Sequence, residues 1–369
     1  PPPPFSPIRR NTRLHEKSRG LGDVYKRQAG DFCRRFSSYH IDQLQDAFDE
    51  ARLRVWSTQD DSFFQQATID MDGTIVETTG QCKAGMDMSY KGVWGYHPLV
   101  LSLAQTGEVL RLVNRSGNQT SQHGAAKQVD HVIELCQRAG FQKIRLRGDT
   151  AFTQTVHLDR WHKQGVKFVF GMKAYAGLVD IAENVASEEW KPLPRPLKHD
   201  PHTPNRRRPE NVKERIVAER GYTNKRLAGE WVTEVPYRPT DCKQTYRLVI
   251  VCKELEVTEQ GRLFDDCKYF FYLTNESKRK LKTTEVVYES NARCDQENIL
   301  AQLNQCRALH APVDNLESNW AFMVMTALSW SLKAWIGLSI PVSGRWKDKH
   351  QRERREVQRM EFKRFIDQF

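Results

Sequence analysis

The sequence predicts an α/β fold: a mixed sheet flanked by helices and interrupted by an antiparallel β insertion. Three patterns predict it. β-type runs and a turn signal precede the first strong helical period, as in a meander that leads into a helix. A strand-helix-strand unit follows, and a crossover helix is the usual way to bring the next strand back parallel. A Pro- and Arg-rich stretch then opens a block of β-branched and aromatic runs, after which helical spacing returns.

In chain order, residues 1–28 begin with four prolines and end on "DVYKRQ", which resembles the translation of a sequencing-library adaptor. They are set aside as a non-native or disordered segment. The first methionine is Met71, inside an expected core strand, so the chain reads as N-terminally truncated. Residues 29–66 form a helical segment, with Ile41, Leu44, Phe48, Leu53 and Val55 at mostly helical spacing. A first core part spans 67–190: "ATIDMDG" and "GVWGYHPLVLSLAQTGEVLRLVNR" as antiparallel strands turning at Gln105-Thr106-Gly107, then a helix capped by Gly140. "KIRLRGD" and "VKFVFGMK" flank a helix that stops at Gly165.

The insertion spans 191–282, with "ERIVAERGY", "EWVTEVPYRP", "TYRLVIVCKEL" and "KYFFYLTN" all read as strands. A second core part, 283–340, holds one helical run through "TEVVYESNARCDQENILAQLNQCRAL" and another from Asn315 to Trp335. Residues 341–369 form a basic helical tail anchored by Val357, Met360, Phe362 and Phe365.

The 369 residues carry a formal charge of +11, which favours a polyanionic partner, because Lys and Arg bind phosphates with release of counterions. Eight cysteines form no CxxC pair, so no zinc ribbon is signalled and reduced cytoplasmic thiols are expected. The stretch from Trp320 to Leu338 approaches membrane-spanning length, but Lys333 and three Trp suit a buried helix better, so no membrane is expected.

Three carboxylates have the context for chemistry. Strand alternation puts Asp70 and Asp72 on one face, which suits a cation, while Asp72-Gly73 is also a turn signal. Asp149 ends a β-type run, where α/β sites collect ligands, and also fits a helix N-cap; Arg145 and Arg147 would give it a positive, open approach. Glu297 lies one helical turn after Arg293, in the orientation less favourable for a simple helix pair, so Arg293 is a candidate phosphate contact. Arg206, Arg207 and Arg208 are candidates for the DNA backbone or a solvated face. No HExxH motif or phosphate loop is present.

The ordered motifs "GDFCRRF", "IDMDGTIVETTG", "SYKGVWGYHPL", "LVNRSGN", "RGDTAF", "LDRWHKQGVKFVFG", "YRLVIV", "YFFYLTN", "RCDQEN" and "SNWAFM" resemble the ribonuclease H-like DDE transposases of bacterial insertion sequences, specifically the IS thirteen-eighty group. The resemblance implies Asp72, Asp149 and Glu297 as catalytic acids and metal ligands, with Asp70 a further candidate ligand. It implies two Mg²⁺ or Mn²⁺ ions, double-stranded DNA as element ends and target, a homodimer on that DNA, and a cytoplasmic, nucleoid-associated location. Arg293 and Glu297 match a Tyr-x-x-Arg-x-x-x-Glu signature; Ser290 stands in the Tyr position, leaving Tyr288, two residues earlier, as the candidate phosphate contact. The implied activity is metal-dependent strand cleavage and strand transfer. A catalytically inactive DNA-binding remnant, or a related nuclease without strand transfer, is the alternative.

Overall fold

The computed structural model describes residues 28–195, 212–221, 224–259 and 262–368. Arg206, Arg207, Arg208 and residues 1–27 lie outside them. After helix α1 (Ser38–Trp56), strand β1 (Ala67–Gly73) enters a sheet that β5 (Leu99–Leu103) and β6 (Glu108–Val113) extend on one side. On the other side come β7 (Ile144–Gly148) and β8 (Lys167–Met172). β1 pairs antiparallel with β5 and parallel with β7, and β7 pairs parallel with β8, the mixed arrangement read from the strand-helix-strand unit.

The insertion strands do not form a separate module. β12 (Arg262–Thr274) pairs antiparallel with β8, and β11 (Tyr246–Glu259), β10 (Asn224–Tyr237) and β9 (Lys191–Pro192) continue outward to make one nine-stranded sheet. A second sheet of three short strands, β2 (Val76–Glu77), β4 (Trp94–Tyr96) and β3 (Asp87–Met88), fills the excursion between β1 and β5.

Alternation along β5 explains the layering. Leu99, Leu101 and Leu103 belong to a core that also takes Val129, Val132, Ile133 and Cys136 from α2 (Ala125–Ala139) and Leu158 and Trp161 from α3 (Thr155–Lys163). Val100, between them, faces a second core with Ile299, Leu303 and the helix α8 (Leu316–Ser339). Each such aliphatic side chain contributes roughly 1.5–3 kcal/mol when fully buried, which is why both faces are covered.

Helix α8 is long and apolar enough to cross a membrane by length and composition, yet its polar atoms are committed to the protein. Trp320 Nε1 donates to Leu112 O at 2.6 Å, Trp330 Nε1 to Gly107 O at 2.7 Å and Trp335 Nε1 to Glu108 Oε2 at 2.5 Å, all on or beside β6. Fully buried Lys333 donates to the carbonyls of Gln358 and Met360, each at 2.7 Å, and so ties down the tail helices α9 (Lys347–Arg359) and α10 (Phe362–Gln368). Val357, Met360 and Phe365 form the small core of that tail, with Phe362 packed against it.

Two expectations change. Residues read as the strand "ERIVAERGY" fold as helix α5 (Val212–Arg220), because Lys, Glu, Arg and Ala are strong helix formers and Arg215 and Glu219 pair one turn apart. The single helix expected after residue 282 is two, α6 (Thr283–Ala292) and α7 (Cys294–Gln305), with Arg293 at the joint.

Candidate active site

Asp72 lies near the end of central strand β1, facing the same side as Val100, its partner across β5. One oxygen accepts the Gly73 N–H at 2.8 Å; the other meets Arg293 Nη1 at 3.2 Å. The glycine is required where it stands, since a Cβ at Gly73 would lie 2.7 Å from the buried His97 ring nitrogen Nε2.

Asp149 follows the last residue of β7, the strand beside β1. It is not a helix N-cap, because α3 starts six residues later. Its Oδ1 instead accepts the Ala151 N–H at 2.8 Å, closing a tight turn under which Gly148 packs against Phe152. Its other oxygen takes no hydrogen bond among the described residues.

Glu297 is exposed in the first turn of α7, alongside Asp295, where the helix N-terminus favours negative charge. Its neighbour Gln296 is fully buried and anchors this turn to β5, through Ser102 Oγ and through the Val100 carbonyl at 3.4 Å. Gln296 was not singled out in the sequence, and a glutamine among polar helix residues carries no pattern that marks it as buried.

These elements bring the three acids into electrostatic contact. Burial pushes the Asp72 carboxyl up to about 6; Arg293 pulls it down, while the charges of Asp149 and Glu297 push it further up. Among the described residues, Asp72 is thus a carboxylate with surplus negative charge around it and the Arg293 guanidinium against it. That donor set, hard oxygens from a strand, a strand end and a helix, fits a divalent cation.

Other expected site residues serve the fold. Asp70 is fully buried and held bidentately by Arg147, at 2.6 and 2.7 Å, which leaves it no face for a metal. Arg147 also meets Glu289 of α6 at 3.3 Å, and Arg145 meets Glu276 at 3.0 Å and Glu289 at 3.2 Å. Both arginines are buried, so neither offers the open approach to Asp149 expected of them. Their ion chain instead fastens β1 and β7 to α6, the helix that ends at Arg293. Tyr288 likewise points away from a phosphate role, donating its hydroxyl to the Pro194 carbonyl.

A second acidic cluster, Asp46, Asp49 and His131, brings its ligand atoms within 4.8 Å of one another. Guanidinium groups already occupy it: Arg111 bonds Asp46 at 2.5 Å and contacts His131, and Arg52 bonds Asp49. It is a partly buried ion network joining α1 to β6.

A mixed sheet whose strands and a following helix bring acids within electrostatic reach of one another is the framework of a metal-dependent DDE domain. The chain belongs to the transposase DDE domain group 1 family, whose model matches residues 31–350. Membership of that family implies divalent-metal use. No curated protein matches the sequence. Among solved structures it is similar to piggyBac transposase in a cryo-EM synaptic complex with hairpin DNA, at 13% identity and a TM-score of 0.36. That match covers 82% of this chain and 56% of the other, so the chain spans little more than half the length of this structural relative.

Proposed function

We propose that this chain cleaves DNA strands at the ends of a mobile element and joins the freed ends to target DNA. The observation that carries it is the electrostatic convergence of Asp72, Asp149 and Glu297, from three separate elements, in a chain of the DDE transposase family. In this reading Asp72, Asp149 and Glu297 hold two Mg²⁺ ions. When bound, the metal supplies Lewis-acid stabilisation of the charge that develops on attacking and leaving oxygens.

The chain's own residues set the geometry. Water attacks the phosphodiester in line, a P–O bond forms, the bond to the 3′-oxygen breaks, and that oxygen takes up a proton. The freed 3′-hydroxyl then attacks a target phosphodiester, exchanging one P–O bond for another. Arg293, which contacts Asp72 at 3.2 Å, has the fork that would hold a phosphate oxygen beside it. Assignment to the IS thirteen-eighty group, action as a dimer on paired DNA ends, and a cytoplasmic, nucleoid-associated location belong to the same proposal.

The test uses DNA carrying the inverted repeats that flank the gene. With Mg²⁺ the chain is expected to produce nicked and joined products, and Asp149→Asn or Glu297→Gln to abolish both while leaving DNA binding largely intact. Cleavage that survives either substitution overturns the site assignment; cleavage without joined products reduces the enzyme to a nuclease.

A further inference from the structure

The excursion between β1 and β5 carries three large side chains in the open. Tyr90 is 77% exposed, Trp94 51% and Met88 40%, whereas Ser89 between the first and last of these is buried. Met88 and Trp94 are direct cross-strand partners of β3 and β4, and therefore share a face. Tyr90 stands in the turn that joins those strands, a turn held by Ser89 N–H to Val93 O at 2.8 Å and by Gly92 in the left-handed region.

This aromatic face is continuous with the acid site. The Tyr90 ring leans on His97 at 6.5 Å between centroids. His97 in turn packs against Gly73, the residue after Asp72. Lys91 holds its ammonium 5.6 Å from the Tyr90 ring centroid, so the face carries positive charge beside that ring. The ribbon itself is rigidly seated: a Cβ at Gly117 would strike the carbonyls of Asp87 and Gly95 at 2.3 and 2.6 Å, so the loop after β6 packs directly under it.

Exposed aromatic rings beside a lysine are the chemistry that stacks nucleobases while attracting their backbone. A fully paired duplex hides its base faces and can offer none to such rings; an unpaired strand can. We propose that Met88, Tyr90, Lys91 and Trp94 form a stacking platform for unpaired bases of the DNA strand that enters the acid site. The proposal rests on the reading of that site as a DNA-cleaving centre. It adds that the strand is unpaired next to the reacting phosphodiester.

The full chain is irradiated with a single-stranded oligothymidylate containing iodouracil, and crosslinks are mapped by mass spectrometry. The expected result is a crosslink at Tyr90 or Trp94, with single-strand affinity about tenfold weaker in Tyr90→Ala/Trp94→Ala and duplex affinity nearly unchanged. Trp94→Phe, which keeps a ring, should retain most of the binding, and unaltered thermal melting of the alanine variant separates lost stacking from lost folding. Crosslinks elsewhere with unaltered affinity overturn the platform, as does an alanine variant that changes only self-association, which would mean that a second copy covers the face. Failure of the cleavage reading appears separately, as activity that survives Asp149→Asn, and leaves the crosslink result intact.

Discussion

Arg293 Nη1 lies 3.2 Å from Asp72 Oδ2 across 221 residues of sequence, and it does so from the joint between α6 and α7. Because the joint breaks the helix, Arg293 turns toward the strand carboxylate while Glu297 stays in the first turn of the following helix. One cation does not offset the burial of Asp72, so its carboxyl stays raised to about 6.

That shift sets a pH dependence. The folded value lies above the ordinary 3.8, so the folded chain binds the extra proton between about pH 4 and pH 6, and metal-free stability falls as pH rises through that window. The expected loss is roughly 2–3 kcal/mol by neutral pH. Asp72→Asn should remove it, giving a metal-free chain that melts higher than wild type at pH 7.5 but not at pH 4. Added Mn²⁺ should raise the wild-type melting temperature and leave the variant unmoved. Equal pH dependence in both chains would contradict this account.

Arg147→Met leaves Asp70 buried without its partner and should destabilise the chain by about 3–5 kcal/mol in urea unfolding. Replacing both residues, as Asp70→Leu with Arg147→Met, should recover much of that loss. A double variant no better than the single one would show that Glu289, rather than Asp70, is the partner that matters.

Gly73→Ala places a methyl against the His97 ring and should cost about 1–3 kcal/mol. Because the ring nitrogen is the nearest atom, His97→Ala in the same chain should relieve most of the clash, a compensation that thermal melts can measure.

Lys333→Met removes the donor shared by the Gln358 and Met360 carbonyls, the second of which is buried. The expected result is a tail from residue 341 onward that proteases cut faster, with the cut sites found by mass spectrometry. Protection equal to wild type would place the tail's anchorage in Val357, Met360 and Phe365 alone.

Much of the core was legible because its signals are local. The run ending at Asp149, the turn at Gly107 and the caps at Gly140 and Gly165 depend on short spacings, and the glycines there adopt the positive φ those turns need. What was not legible depends on distant partners. Nothing in "KIRLRGD" tells whether an arginine faces solvent or a carboxylate more than 130 residues away, yet Arg145 meets Glu276 and Glu289 and becomes structural. Tyr288 was lost as a phosphate contact for the same reason, its hydroxyl being taken by a carbonyl on the insertion side. The "ERIVAERGY" segment was misread because Ile and Val outweighed the surrounding helix formers in a block that is otherwise β.

The insertion also imposes a schedule. Asp149 and Glu297 are 148 residues apart in the chain, so at about 5–20 residues per second a ribosome needs roughly seven to thirty seconds to make the second after the first. During that interval β1 and β7 can already pair while the helix bearing the last acid is unmade. A nascent chain, or one cut short anywhere in the insertion, therefore presents Asp72 and Asp149 without Glu297.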